Sequence, residues 1–142
     1  MKMKQRILLA GLFLLSPVSL LEADEIGELR SAFAKAVTGG EFGVAHESGA
    51  PLIAALRKEA DFGETFESIA YLQAFAYASG QVGETDKANR LYEEALGFAR
   101  AFDRKGGTPP QEAVALLKWA THRTESRRPV EAEALFGEAL AL

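Results

Sequence analysis

Apolar residues recur at intervals of three and four along most of this chain. Ile69, Leu72, Phe75 and Ala76 form one stripe, and Ala88, Leu91, Tyr92 and Ala95 form another. That spacing gathers them on one face of an α-helix, and no stretch alternates as a strand does. Gly39-Gly40, Gly80, Gly83 and Gly106-Gly107 mark turns. Pro51, Pro109, Pro110 and Pro129 mark first helical turns, where a missing N–H costs little. The punctuation predicts helices over residues 24–37, 50–60, 65–79, 86–104, 110–123 and 129–142, with Pro51 opening the second and Thr108 capping the fifth.

Each predicted helix owns one apolar stripe and cannot bury it alone. Short connections make consecutive helices antiparallel neighbours, and stacked hairpins share one continuous seam. The expected fold is therefore all-α, a right-handed solenoid of antiparallel helix hairpins.

A repeat supports this expectation. Residues 72–98 superpose without a gap on residues 116–142, at a spacing of 44. Leu72 falls on Leu116, Phe75 on Trp119, Ala76 on Ala120, Ala88 on Ala132, Leu91 on Leu135 and Tyr92 on Phe136. Glu94-Ala95-Leu96 falls on Glu138-Ala139-Leu140. Seven of these pairs are identical and two exchange one aromatic for another, where roughly two or three identities would arise by chance. An earlier copy is suspected from Leu52, Ala55 and Leu56, which match Tyr92, Ala95 and Leu96 at a spacing of 40. Leu29, Phe33 and Val37 would form the stripe of its first helix. Ser48 then stands where Ala88 stands, and Gly49, Ala50 and Pro51 interrupt the start of its second helix.

The order large, then large-small three on, then small twelve later, then aromatic four after that resembles the tetratricopeptide repeat. Leu72, Phe75, Ala76, Ala88 and Tyr92 carry it, and so do Leu116, Trp119, Ala120, Ala132 and Phe136. The ending RPVEAEALFGEALAL is similar to the second helix of a kinesin-light-chain type repeat, whose period is about 42 rather than about 34. The resemblance divides the chain into a degenerate N-terminal hairpin, 24–64, and two repeats within 65–142, namely 65–108 and 109–142. It implies a protein-binding module in which the first helix of each hairpin lines a concave groove. Carried over residue by residue, the groove would hold Gln73, Tyr77 and Gln81 beside Leu117, Thr121 and Glu125, with Tyr77 as the principal contact for a peptide or partner helix.

Residues 1–23 read as a secretory signal. Lys2, Lys4 and Arg6 precede an apolar run from Ile7, and Pro17 and Ala23 follow it. The apolar stretch is shorter than the roughly 20 residues a bilayer span needs. Cleavage is expected after Ala23, with Ser19 as the second choice, leaving no stable membrane span. Loss of Lys2, Lys4, Arg6 and Glu22 would leave 13 Lys+Arg against 19 Asp+Glu, a net charge of −6. That balance argues against nucleic acid as a partner. The absence of cysteine excludes disulfides, thiolate nucleophiles and a lipidated cysteine. The expected location is the periplasm or exterior of a bacterial cell.

Chemistry finds little footing. His46 and His122 lie far apart in sequence, and neither has a second ligand at metal-binding spacing. No nucleophile elbow or phosphate loop is present, and no cofactor or metal is expected. His122 is read as a solvated side chain. His122, Arg123, Arg127 and Arg128 form the one basic cluster, a candidate contact for an acidic partner or anionic headgroup. Binding without turnover is the expected function. The alternative is a self-assembling subunit joined through the apolar stripe of its last helix, including Leu135 and Leu142.

Overall fold

A computed structural model describes residues 24–142, and every regular element among them is α-helical. Segment 1–23, read above as an export signal, lies outside the described residues. Helix α1 occupies residues 24–38. It is followed by α2 (Phe42–Leu56), α3 (Phe66–Gln81), α4 (Thr85–Arg104), α5 (Glu112–Glu125) and α6 (Pro129–Leu140). None of these is long and apolar enough to cross a membrane. The most extensive pairings are α3 with α4 and α5 with α6; α2 packs on α3, α4 on α5, and α3 also touches α5.

Four of the helix ends close in the same way. Gly40, Gly83, Gly106 and Arg127 sit in the left-handed region at φ of 71°, 88°, 79° and 60°. The next N–H then reaches back five residues: Glu41 to Ala36 O, Glu84 to Ser79 O, Gly107 to Phe102 O and Arg128 to Arg123 O, at 2.8–2.9 Å. This closure satisfies carbonyls that the last helical turn leaves unpaired. Three of these residues, Gly40, Gly83 and Arg127, each stand five positions before a buried alanine, Ala45, Ala88 or Ala132. Turn chemistry and small-residue burial thus recur together at spacings of 43 and 44.

Helix α2 departs from the sequence reading. It begins at Phe42, so Pro51 lies inside it and does not open it. A proline in a helix interior costs about 3 kcal/mol. Burial of Leu52, Ile53 and Leu56 on the same helix offsets that at about 1.5–3 kcal/mol each. The ring of Pro51 is exposed, as is Glu47, whose carbonyl loses its usual partner. Gly49 does not interrupt the helix either. A Cβ there would lie 2.3 Å from Phe75 Cδ2 and 3.1 Å from Phe33 Cε2, so a glycine lets α2 cross those rings. The register moves with the boundary: the buried positions Ala45, Leu52, Ile53 and Leu56 answer Ala88, Ala95, Leu96 and Ala99, a spacing of 43 in place of 40.

The other starts follow local chemistry. Thr65 Oγ1 accepts the Ser68 N–H at 3.1 Å and caps α3. Pro129 is the first residue of α6. Thr108 does not cap α5, which begins two residues after Pro110. Asp103, in the last turn of α4, accepts the N–H groups of Gln111 and Glu112 at 2.7 and 2.8 Å. One carboxylate thereby caps α5 from the preceding helix.

The core lies in two parts. The larger holds Phe33, Leu52, Leu72, Phe75, Ala88 and Tyr92; the smaller holds Ile69, Leu96, Ala99, Ala115 and Leu116. Phe98 and Trp119 pack against both. Trp119 is only half-buried where its repeat counterpart Phe75 is buried, and its Nε1 donates to Asn89 Oδ1 at 3.0 Å. Ala132 is the one buried residue of α6.

Arg127 supplies a test of the turn. A side chain in the left-handed region costs about 1–2 kcal/mol, which glycine avoids at some cost in unfolded-state entropy. Arg127→Gly should raise stability by about 1 kcal/mol, and Gly83→Ala should lower it by about the same. Denaturant titration of both variants checks this; a destabilised Arg127→Gly would refute the common turn.

Candidate functional site

Helix α3 presents one stripe to solvent. Phe66, Ala70, Ala74, Tyr77 and Gln81 follow one another at helical spacing. Phe66 and Tyr77 are 49% and 39% exposed, large values for aromatic rings in a protein of this size. On α5, Val114, Leu117, Thr121 and Glu125 form the matching exposed stripe. Two depressions lie along these stripes. One, of about 340 Å³, is apolar and sits between α1 and α3, walled by Phe33, Val37, Phe66 and Tyr71. The other, of about 410 Å³, is polar and sits where α3, the start of α4 and the end of α5 meet. It gathers Tyr77, Gln81, Thr85, His122, Glu125 and Ser126.

Three of the six residues expected to line a groove thus share a wall: Tyr77, Gln81 and Glu125. Gln81 Nε2 approaches Glu125 Oε2 at 3.5 Å, a contact at the outer limit of hydrogen bonding. The Tyr77 ring meets Phe42 edge-on at 5.2 Å between centroids and stays partly exposed. Leu117 and Thr121 are exposed nearby on α5, with the Thr121 hydroxyl donating to Leu117 O at 2.9 Å. Gln73 is a correction. It is buried, and its Oε1 accepts from Lys118 Nζ at 3.2 Å, so it ties α3 to α5 beneath the surface. Burial lowers the Lys118 ammonium below its ordinary pKa. A lysine four residues before His122 gave no signal of this in the sequence.

His122 is the second correction. It is 6% exposed, not solvated. Its Nδ1 lies 3.0 Å from where a Cβ on Gly80 would stand, and its ring lies 5.3 Å from that of Tyr92. Its Nε2 is buried with no hydrogen-bond partner. Burial foremost, then the neighbouring Arg123, lowers its pKa, while Glu125 and the Thr85 backbone oppose the shift. Burial also raises the Tyr92 hydroxyl, with Glu125 and Tyr77 adding to the shift. The rest of the basic cluster is drawn elsewhere. Arg123 pairs with Glu131 and lies 5.6 Å over the Trp119 ring, and Arg128 reaches the same Glu131 at 3.3 Å. Arg127 holds the turn before α6. Glu131 therefore takes up charge that the sequence reading left free for an acidic partner. Among the described residues, no group of three or more His, Cys, Asp or Glu is placed to hold a metal ion.

No protein-family model matches the chain, and neither does any curated protein or solved structure. The site is therefore read from its own geometry.

The burial of His122 fixes the sign of a pH effect. The unfolded imidazole titrates near 6.5, and the folded one only at lower pH. Below about 6.5 the unfolded state binds a proton that the folded state refuses, so stability falls as pH falls, by at most about 1.4 kcal/mol per pH unit, until the folded imidazole titrates too. The stability gap between wild type and His122→Gln should be constant above pH 7 and narrow below 6.5. Thermal melts of the pair across pH 5–8 measure it, and a gap independent of pH would contradict the burial.

Proposed function

We propose that this protein is a binding module without turnover, a short stack of tetratricopeptide-like helical hairpins that takes a peptide or partner helix along the face shared by α1, α3 and α5. The observation that carries this reading is the shared wall: Tyr77 and Gln81 from α3 and Glu125 from α5 line one depression. An exposed aromatic beside an amide and a carboxylate suits recognition, because a rigid ring buries much area at little entropic cost. The apolar depression between α1 and α3 continues the same stripe of α3 and offers room for a partner's hydrophobic side chains. The repeated turns at Gly40, Gly83 and Arg127, each five residues before a buried alanine, support the stacked-hairpin reading. The basic and apolar layout of residues 1–23 supports a bacterial envelope location.

A second reading draws on α6. Val130, Leu140 and Leu142 are 78%, 88% and 69% exposed, whereas Leu96, the counterpart of Leu140, is 4% exposed beneath α5. That uncovered apolar face suits a self-assembling subunit. Half-buried Leu135 packs into the smaller core and contributes less to the exposed face than the sequence reading assigned it.

Peptides selected from a random library against residues 24–142 test the groove. Tyr77→Ala should weaken their binding by about thirtyfold or more, the loss of a hot-spot contact, while loss of its packing against Phe42 should lower stability by about 1 kcal/mol. Gln73→Ala is unsuitable for this purpose because it would disturb the α3–α5 seam. Selected peptides whose affinity ignores Tyr77→Ala would sink the groove. Sedimentation across a concentration series addresses the other reading, and a monomer at high micromolar concentration would exclude it.

A further inference from the structure

The polar depression has a one-sided chemistry. Glu125 puts a carboxylate at its rim and makes no ion pair among the described residues. Its only side-chain contact there is the long one from Gln81. Tyr77 adds a partly exposed ring, and the Gln81 amide carries an oxygen able to accept. The Ser126 hydroxyl spends its proton on His122 O at 2.8 Å, so its own lone pairs remain. Arg123, on the same helix, is engaged by Glu131 and Trp119. The remaining group able to carry positive charge into the depression is His122, buried between Gly80 of α3 and Tyr92 of α4.

We infer that this depression receives a cationic side chain, a lysine or arginine of the bound peptide, paired with Glu125 and laid against the Tyr77 ring. The inference rests on the groove reading and names the chemistry of its partner. Ammonium and guanidinium groups gain from a carboxylate and an aromatic face together. An unpaired carboxylate at the mouth of a depression about 410 Å³ in size favours such a group over a neutral one and repels an acidic one. His122 sets the condition for this preference. Facing it are Tyr77 and Gly80 from α3, Thr85 and Tyr92 from α4, and Arg123 and Glu125 from its own helix. While the imidazole is neutral, Glu125 has no internal cation to satisfy it. Once protonated, His122 competes for that carboxylate and the cationic ligand loses its partner.

Peptide pools with random flanks and one fixed central residue (Lys, Arg, Gln or Glu) serve as the probe, read by fluorescence anisotropy against residues 24–142. Wild type should bind the Lys and Arg pools about three- to tenfold more tightly than the Gln pool at pH 7.5. Glu125→Gln, an isosteric surface change, should erase that ratio. Glu125→Lys should transfer the preference to the Glu pool. The preference should also shrink once pH falls far enough below 6.5 to protonate the buried His122. Equal binding of all pools by wild type, or a Lys preference that survives Glu125→Gln, overturns the cationic site. If Tyr77→Ala then still weakens every pool, the groove stands without it. If no pool binds at all, the groove reading fails and the cationic site fails with it.

Discussion

Close approach between helices is the constraint on which the rest of this molecule depends. Ala45, Gly49, Ala76, Ala88, Ala95 and Ala132 are buried at or beside helix crossings, and none offers more than one carbon to the interface. Small residues there let the large ones, Phe33, Leu72, Phe75 and Tyr92, fill the space between helices without voids. The penalty of a wrong size runs both ways, since an added methylene strains the crossing and a removed one leaves a cavity. Gly49 is the extreme case: even a methyl group would collide with the Phe75 ring and crowd that of Phe33. Positions this restricted hold their neighbours in register, and register decides which residues of α3 and α5 meet at the surface.

Much of the fold was legible in the sequence because the same restriction acts on each helical unit. The apolar spacing marked α3, α4, α5 and α6, and the 44-residue repeat paired Ala88 with Ala132 and Leu72 with Leu116, all of which are buried. The α2 boundary was not legible. Pro51 reads locally as a start, and the burial of Leu52, Ile53 and Leu56 that overrides it depends on α3, distant in sequence. The cap of α5 was hidden for a similar reason: Asp103 belongs to the helix before, and nothing in Thr108-Pro109-Pro110 points back to it.

The candidate site was legible in part. Tyr77, Gln81 and Glu125 came together, since each lies on the helix face that the repeat register assigns to it. Gln73 and His122 misled because a polar side chain on an amphipathic helix reads as solvent-facing unless a specific neighbour covers it. The cover here comes from tertiary partners, Lys118 over Gln73 and Gly80 with Tyr92 around His122. Charge followed the same pattern. A sequence shows four basic side chains in seven residues, whereas Glu131 engages two of them and a third, His122, is buried.

The division of the core has a dynamic consequence. Among the described residues, Phe98 and Trp119 pack against both parts, and past them α6 contributes a single buried side chain. The α5–α6 pair, itself closely packed, is therefore held to the rest chiefly across the thinner α4–α5 contact, and a helical protein opens where its packing is thinnest. Amide protons of α5 and α6 should exchange together in a local opening, while those of α3 and α4 wait for global unfolding. The α5 half of the proposed binding face then rides on the less firmly held unit, and the α3 half on the most firmly held one. A ligand spanning both would act as a staple, tightening the loose end by mass action.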